Sequence, residues 1–456
     1  MPRPFLLLAC LLFFCLVGGA QCQAPPQGGA ERSTAAESLT LEQAIQLALA
    51  NNRILRIASL DVSKAEDTIT ATRKQRLPDT NLSLLGSQLL TEVRFRVEQG
   101  QFGTFPGIGP VPADTTSITT PRRFNAYVVG QVAQPLSQLY KIHLGIRQGE
   151  FAREVARQKL RAQQQSVINN VKKLYFATLD TESALEASEE SLKFYRELDR
   201  LVGNYVLQRV ALKADGLDVK AKLAKEEYDA RTLRNELATR KEQLNQVLGR
   251  DIRTEFTVSP LAEPTWVETS LAAAQARALT QRPEVEQARL TLKQAEQDRR
   301  IKKAEYIPDI SLSLNYLSPF RIEFLPKNVV AVGLQFSWQP FDWGRKKHEL
   351  DEKSRGIEQA RRALEDTEQQ VLVDVNEKYR KLGESRALVS VAETARESAR
   401  ERLRVTQANY AEQAALLKNV LEAQSNLASA SHEFRKAVLA FWTAKAQFEK
   451  VLGESQ

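Results

Sequence analysis

The chain has 456 residues, of which 43% are hydrophobic and 26% charged, and neither Gly nor Pro is enriched. This composition allows a packed core and argues against wholesale disorder. The formal net charge is +8, but basic and acidic residues are interleaved along the sequence. That pattern indicates solvated helix faces and argues against a nucleic-acid-binding protein.

The N-terminus has the pattern of an export signal. Arg3 precedes an apolar run at residues 5–17, which has the length of a signal-peptide core and is too short for a membrane helix. The small residues Gly-Gly-Ala then precede a predicted cleavage site after Ala20. We therefore expect residues 1–20 to be a signal peptide and residues 21–38 to form a flexible tail.

The cysteines predict no internal disulfide. All three lie near the N-terminus, and at most Cys22 remains after cleavage. Lipidation of Cys22 is an alternative. The preceding Gln21 is larger than the small residue that such a site prefers, so an unmodified thiol is favoured.

The chain contains an internal duplication. The stretch LPDTNLSLL, from Leu77, is matched 230 residues later by IPDISLSLN, from Ile307. Further along, QPLSQLYKIH from Gln134 is matched by QPFDWGRKKH from Gln339, and VLG occurs near the end of both halves. We therefore predict a first repeat, a linker and a second repeat, at residues 39–250, 251–270 and 271–453.

Each repeat is predicted to contain a helix, a strand, a loop, a second strand and two long helices. In the first repeat we expect helices at about residues 40–76, 137–206 and 215–248, and membrane strands at about 77–98 and 123–135. In the second repeat we expect helices at about 271–305, 342–408 and 416–452, and membrane strands at about 307–318 and 327–340. A segment rich in Gly, Pro and Thr, residues 99–123, is present in the first repeat alone and predicts a long loop.

Local signals support the helices. Thr40 is followed three residues later by Gln43, as in a capping box, and Pro283 suits a first helical turn. The long helices support rods on the order of 80–100 Å, because they contain long stretches without Gly or Pro. Apolar residues seven apart predict coiled-coil stripes at Leu223, Ala230, Leu237 and Leu244, and at Val420, Leu427, Phe434, Phe441 and Phe448.

The predicted strands have one apolar and one polar face. Apolar residues alternate with polar or small ones at Val330, Val332, Leu334, Phe336 and Trp338. Prolines mark the strand–helix junctions: Pro78 and Pro308 begin strands, and Pro135 and Pro340 end strands and open the next helices. Trp338 and Trp343 lie at such a junction, where membrane-interface aromatics are expected; a core position is the alternative.

Four strands in one chain cannot close a membrane barrel. Such barrels need about eight strands or more, because an open edge is not tolerated in lipid. Three chains supply twelve strands and favour a homotrimer, whereas two chains with eight strands remain possible.

The duplicated PD-x-x-LSL strands, the QP junctions, the VLG helix ends and the signal peptide together resemble the outer membrane efflux protein family of TolC-like channels. The resemblance covers nearly the whole chain after residue 20. It implies a mainly α-helical chain with a β-barrel portion, in which a trimer forms a twelve-stranded outer-membrane barrel continued by a periplasmic α-helical barrel. The implied location is the outer membrane and periplasm of a Gram-negative bacterium.

The resemblance also implies a function in transport. Such a protein is a passive exit duct of a tripartite efflux or secretion system, surrounded by outer-membrane lipid. Its implied partners are a periplasmic adaptor (membrane fusion) protein and an inner-membrane pump of the resistance–nodulation–division or ABC type. A type I polypeptide secretion duct is the alternative.

A constriction at the periplasmic end follows from the same resemblance. The stretch YAEQAALLKNVLEA, from Tyr410, matches the family's constriction motif, with Asn419 and Glu422 at its two acidic positions. Three copies of Glu422 would repel one another and attract cations. Asn419 adds no charge and the adjacent Lys418 opposes the effect.

Tyr410 and Asp218 match residues that tie the family's closed state together. Ala415 replaces a basic residue of that network. The resemblance therefore predicts gating contacts at Tyr410 and Asp218 in a closed state that is held more weakly or by other pairs. Ordinary positions on a coiled-coil surface are the alternative for both residues.

No catalytic or cofactor motif is recognisable. The three histidines, His143, His348 and His432, are scattered through helices and have no metal-ligand spacing. We therefore expect no enzyme activity and no cofactor. Two other classes remain as alternatives: a secreted coiled-coil protein, which leaves the strands unexplained, and a diffusion porin, which does not need the long helices.

Overall fold

A computed structural model of the protein describes residues 37–120, 122, 124–209, 212–261, 270–320, 326–412 and 414–454. The predicted signal peptide, Cys22 and most of the predicted tail lie outside the described residues. So do parts of the predicted linker and of the segment between the two predicted strands of the second repeat.

Helices dominate the described chain. They are α1 Leu41–Asn51, α2 Arg53–Lys74, α3 Gln138–Leu207, α4 Lys213–Leu248, α5 Leu271–Gln281, α6 Pro283–Ala304, α7 Arg345–Ala411 and α8 Leu417–Leu452. The 70 residues of α3 and the 67 of α7 make rods of about 100 Å at 1.5 Å per residue. Within the described part of the chain, no helix is both long enough and apolar enough to cross a membrane.

The strands form one four-stranded sheet and three small pairs. They are β1 Glu37–Leu39, β2 Asp79–Gln88, β3 Val93–Val97, β4 Thr104–Phe105, β5 Gly109–Pro110, β6 Thr116–Thr120, β7 Phe124–Pro135, β8 Phe256–Val258, β9 Asp309–Phe320 and β10 Val329–Ser337. The four-stranded sheet is antiparallel and has the order β10-β9-β7-β2. Both halves of the chain therefore contribute a hairpin to it.

The sheet has one apolar and one polar face, as the alternation predicts. Across its strands, Val330, Tyr316, Gly130 and Leu82 form one row. The neighbouring row, which points to the other face, contains Ala331, Asn315, Gln131 and Asn81. The register therefore places the apolar residues of all four strands on one face of the sheet and the polar or small residues on the other.

The first predicted strand and the predicted long loop need correction. Residues 77–98 do not form one strand: β2 belongs to the four-stranded sheet, whereas β3 pairs with β6. Residues 99–123 are not a simple loop, because they contain β4, β5 and β6. The alternation at Val93, Phe95 and Val97 and the Thr-rich run of β6 favour this separate hairpin.

The helix predicted at residues 40–76 is two helices. Asn52 ends α1 and begins α2 with an extended backbone, and its side-chain oxygen accepts hydrogen bonds from the Ile54 and Leu55 N–H groups. The helix predicted at 271–305 breaks at the equivalent Arg282, because Pro283 follows and disfavours a helical conformation before it. The Thr40–Gln43 capping box and the first-turn position of Pro283 are confirmed.

The glycine of each VLG stretch ends one helix against the break between two others. Gly249 and Gly453 follow α4 and α8 with φ of 73° and 85°, in the left-handed region that favours glycine. A Cβ at Gly249 would lie 2.4 Å from the carbonyl oxygen of Asn51, and a Cβ at Gly453 would lie 2.8 Å from that of Gln281. α4 therefore abuts the α1–α2 break, and α8 abuts the α5–α6 break.

A short strand pair packs against α3 near the glycine that ends α4. β1 and β8 are parallel, with Glu37 opposite Phe256. The hydroxyl of the buried Tyr175, on α3, lies 2.9 Å from the Leu39 carbonyl oxygen and 2.7 Å from that of Ser259. Burial raises the pKa of Tyr175 to about 12, so the hydroxyl keeps its proton and donates it at neutral pH. Residues 37 and 38 thus belong to a strand and not to a flexible tail.

The heptad stripes are confirmed as packing surfaces. Ala230 and Leu244 of α4 are buried, as are Val420, Phe441 and Phe448 of α8. Phe441 packs with Val389, Ala392 and Ala437 in a cluster between α7 and α8. α3 joins the two halves, since it packs against α4 of its own half and α8 of the other, and Lys172 pairs with Glu449 at 2.7 Å.

We predict that Gly249→Ala destabilises the fold by about 1–3 kcal/mol, because the residue has a left-handed backbone and its Cβ meets a carbonyl group. The free energy of unfolding of the detergent-solubilised protein, followed by circular dichroism, measures this. Gly383→Ala is the matched control, since Gly383 lies within α7 with no atom near its Cβ position. Equal stability of the two variants would contradict the tight contact at the α1–α2 break.

Candidate functional site at the helix tips

The candidate site lies at the end of the molecule opposite the sheet, where two helical hairpins turn. α3 ends at Leu207 and α4 begins at Lys213, while α7 ends at Ala411 and α8 begins at Leu417. α3 packs against α4 and α8, and α8 packs against α7. The four helices therefore lie side by side in the order α4, α3, α8, α7.

Asn419 and Glu422 lie on the first two turns of α8 and are exposed. Both line a groove of about 460 Å³ between α7 and α8. Val420 between them is buried, because it belongs to the apolar stripe, so the two polar residues flank that stripe. Asn419 and Glu422 thus lie on one surface of the described protomer, and their assignment to a constriction stays a prediction.

Sequence reasoning missed the α7 side of this groove. Arg402 and Thr406 line it with the small residues Ala395, Ser398 and Ala399. In an antiparallel hairpin, residues equally far from the turn are level with one another. Counting back from the α7–α8 turn therefore places Thr406 level with Glu422, and Arg402 about one helical turn further from the tip. That count was the available signal for a cation beside the predicted acidic ring.

The charge of Arg402 is not neutralised by its neighbours in the described protomer. The adjacent Glu401 accepts a hydrogen bond from Arg404 Nε at 2.8 Å, and this bond lowers the pKa of Glu401. Among the described residues, no ion pair within 4 Å joins Arg402 to Glu422 or to another acid. The groove therefore presents a carboxylate and a guanidinium that are not directly bonded.

Tyr410 and Asp218 lie near the tips of different hairpins. Tyr410 is in the last turn of α7 and Asp218 in the second turn of α4, and both are exposed. Among the described residues of one protomer, no hydrogen bond joins them. Their helices are the two outermost of the four, so a contact between them is not made inside this protomer.

Both tips present a leucine where a polar cap is expected. Leu212 and Leu416 hold the cap positions that precede α4 and α8, and they are 71% and 70% exposed. Ser, Thr, Asp or Asn is preferred there, because the side chain then accepts a hydrogen bond from the helix backbone. Asp215 accepts one from the Leu212 N–H instead. The repeated, exposed leucine is thus a feature that helix stability does not explain.

The predicted junction residues lie at the sheet end of the helices. Pro78 and Pro308 directly precede β2 and β9, Pro135 is the last residue of β7, and Pro340 lies between β10 and α7. The prediction that Pro135 and Pro340 open helices is wrong, because α3 and α7 begin three and five residues later.

The two junction tryptophans are exposed. Trp338 continues the apolar face of β10, and Trp343 is 90% exposed with a left-handed backbone. The rings of Phe341 and Trp343 pack edge to face at 4.8 Å. The core alternative is therefore excluded for both tryptophans within one protomer.

The residues described here include no group of three or more His, Cys, Asp or Glu that could hold a metal ion. His143 lies 3.4 Å from the Arg76 guanidinium through its Nδ1 atom. His432 lies on α8 at mid-height of the hairpin, far from His143 and His348 along the helices.

Comparison with known proteins identifies relatives. A sequence model of the family described as "Outer membrane efflux protein" matches residues 44–250 and 275–454. The alkaline protease secretion protein AprF of Pseudomonas aeruginosa is 22% identical over 359 residues, which are 75% of this chain and 74% of AprF.

Solved structures share the fold. One is CusC, which folds and forms a transmembrane channel. Its structure has a TM-score of 0.73 and 18% identity to this chain, and the match covers 92% of this chain and 94% of CusC. The Campylobacter jejuni CmeC outer membrane channel has a TM-score of 0.70 and 15% identity, covering 91% of this chain and 85% of its own.

Proposed function

Since this chain belongs to the outer membrane efflux protein family, and so to the outer membrane and periplasm of Gram-negative bacteria, we propose that three copies of it form a passive exit duct. Twelve strands close a barrel in the outer membrane, and the helices continue it as a tube through the periplasm. A periplasmic adaptor and an inner-membrane pump open its far end. The duct has no catalytic activity of its own.

The observation that carries this proposal is the pair of free edges of the sheet. Among the described strands, β2 and β10 each pair on one side only. Their apolar side chains, such as Leu82, Leu84, Val332 and Leu334, are exposed. An unpaired strand edge is not tolerated in lipid, so each β2 pairs with the β10 of the next copy.

The helices have matching free edges. α2 and α4 lie at the same side of the protomer as β2, and α7 lies at the side of β10. Exposed apolar residues mark both sides: Ile54, Ile57 and Leu60 on α2, and Val373, Leu388 and Val391 on α7. One continuous head-to-tail interface therefore runs from the barrel to the tips, and a head-to-tail interface that closes gives a ring.

At the closed end we assign Asn419 and Glu422 to the constriction and Tyr410 and Asp218 to the gating contacts. α4 and α7 are opposite edges of a protomer, so in a ring the α7 of one copy lies beside the α4 of the next. Tyr410 then meets Asp218 of the neighbouring copy. Arg402 offsets the field of Glu422, so cation selectivity is weak. Opening moves the hairpins apart as an iris.

We assign adaptor docking to the exposed leucines at the tips. Leu212 and Leu416 repeat the same feature in both hairpins, so a trimer presents six of them around its lower rim. Apolar groups in such a position are typical of a protein-binding surface. Burying each one stabilises a complex by about 1.5–3 kcal/mol.

Two classes of cargo fit this duct. CmeC is an outer membrane channel and CusC forms a transmembrane channel, whereas the name of AprF describes protease secretion. Efflux of small solutes and type I export of a polypeptide are thus both proposed. The pump that works with the chain decides between them, since the duct is passive.

We predict that the purified protein in detergent has the mass of three protomers by light scattering corrected for bound detergent. Ile57→Glu places charges in the proposed interface and shifts the mass toward one protomer, whereas Ser59→Glu on another face of α2 leaves it unchanged. A folded and stable single protomer of the unaltered chain would overturn the shared barrel and the gate assignments with it.

We predict that replacing the gating contacts together, with Tyr410→Phe and Asp218→Asn, raises the mean single-channel conductance in planar bilayers. The reason is that the closed state loses the contacts that hold it together.

In the same bilayers, Arg402→Gln increases the preference for cations and Glu422→Gln decreases it, each by roughly twofold or more. Glu433→Gln, about three turns along α8, is the control. Unchanged conductance and selectivity would show that these are ordinary surface residues.

We predict that Leu212→Gln with Leu416→Gln weakens adaptor binding by about tenfold or more, because two apolar contacts are lost. Export by cells that contain the pump, the adaptor and this chain falls accordingly. The matched control is Ile252→Gln with Leu271→Gln, two exposed aliphatic residues far from the tips. Normal export with the tip variant and loss with the control would place the docking surface at mid-height instead.

A further inference from the structure

The chain crosses between sheet and helices four times, and all four crossings lie at one level. They are residues 73–79, 135–147, 298–309 and 337–349. Hydrogen bonds tie neighbouring crossings together: Gln134 Nε2 donates to the Arg76 carbonyl oxygen at 3.0 Å, and Ser137 Oγ donates to that of Pro308 at 2.8 Å. We call these four segments the junction belt.

The junction belt concentrates positive charge. Its segments contain twelve Lys and Arg residues but six Asp and Glu, whereas the whole chain has 64 and 56. The segments are far apart in sequence, so basic residues that look interleaved along the chain come together in the fold. A belt with a net charge of +6 thus lies along one end of the sheet in each protomer.

The acids of the junction belt are mostly engaged within it. Asp309 accepts a hydrogen bond from Lys141 at 2.6 Å, and Glu305 and Glu349 both pair with Lys302. Asp342 accepts hydrogen bonds from backbone N–H groups of the α7 start, which lower its pKa. Four of the six acids of the belt are therefore engaged by partners within it.

Many of the belt's cations, by contrast, are exposed and unpaired. In the described chain, no hydrogen bond or ion pair involves the exposed side chains of Arg73, Lys74, Arg147, Arg300, Lys303 and Lys347. They come from α2, α3, α6 and α7, which pack side by side in that order, so the cations span the width of the protomer. An unpaired cation at an exposed site is available to an anion outside the protein.

The belt adjoins the apolar face of the sheet. Trp338 continues that face, and the exposed rings of Phe341 and Trp343 follow within the belt itself. A band of aromatic residues with a band of cations beside it matches the order of layers in a bilayer, in which aromatic rings lie at the headgroups and cations meet their phosphates.

We propose that the junction belt binds the phosphate groups of anionic phospholipids in the periplasmic leaflet of the outer membrane. This inference rests on the proposed function, which places the helices in the periplasm. The lipids fix the depth of the barrel in the membrane through charge at the belt and through the rings beside it. Each nearby Lys or Arg contributes about 1 kcal/mol, or about fivefold in affinity.

The experiment compares phosphatidylglycerol with phosphatidylcholine of the same chains, each added to the purified trimer in neutral detergent. Native mass spectrometry counts the bound lipids, and the unfolding temperature reports their effect. The variant is Lys74→Gln with Lys303→Gln and Lys347→Gln, and the matched control is Lys220→Gln with Lys222→Gln and Lys225→Gln, three exposed lysines of α4 near the tip. Inorganic phosphate alone tests the free anion.

We expect phosphatidylglycerol to bind the unaltered protein and the control with a rise in unfolding temperature that phosphatidylcholine does not produce. The belt variant binds phosphatidylglycerol at least about tenfold more weakly than the unaltered protein. High salt removes the difference between the two lipids for all three proteins. Equal binding of the two lipids, equal binding by variant and control, or the same effect from inorganic phosphate would overturn the proposal.

Ion selectivity measurements distinguish lipid binding by the belt from a position of its cations inside the channel. If the belt variant changes anion selectivity in planar bilayers while lipid binding stays intact, the cations face the channel interior and the proposal is wrong. Failure of the proposed function is a different result, namely no trimer and no conductance from the unaltered chain.

Discussion

The architecture depends on the hydrogen bonds that the outer strands of the sheet leave unmade inside one chain. Backbone N–H and C=O groups have no partner in lipid other than another strand. The described protomer offers one such edge at β2 and one at β10, and its helices repeat this asymmetry with apolar residues along α2 and α7. The trimer proposed above satisfies this requirement by the pairing of β2 with β10 of the next copy, and the helices continue the same contact.

The duplication explains how a chain of modest length makes so long a tube. Each half contains one long helix, α3 or α7, beside three shorter ones, which are α1, α2 and α4 in the first half and α5, α6 and α8 in the second. The end of α4 or α8 meets the break between the other two at a tight joint, which Gly249 and Gly453 provide through a left-handed turn against the preceding helix pair. The two halves differ in the residue at the break between their short helices. At the α1–α2 break, the side chain of Asn52 caps the following helix. At the α5–α6 break, Arg282 forms an ion pair with Asp374.

Much of the fold follows from sequence because its signals are local. Each of these signals depends only on residues within two helical turns or two positions along a strand. Examples are the heptads at Val420 to Phe448, the Thr40–Gln43 cap and the alternation in β10. Features that depend on distant pairing are not visible in this way. The β1–β8 pair joins residues more than 200 positions apart. Arg402 and Glu422 line one groove from the two helices of a hairpin, and the junction belt assembles from four separate segments. Of the candidate site, the α8 half was therefore predictable and the α7 half was not.

The position of β1 has a consequence for the order in which the molecule is assembled. A chain that crosses a membrane from its N-terminus presents Glu37–Leu39 first, yet the partner strand Phe256–Val258 follows only after the whole first repeat. Tyr175 bonds to both sides of that pair and is completed only when both are present. β1 therefore cannot form this pair before β8 has followed it across. Closing so long a loop is slow compared with forming the helices between its ends, so fastening of the first strand marks the completion of the first half.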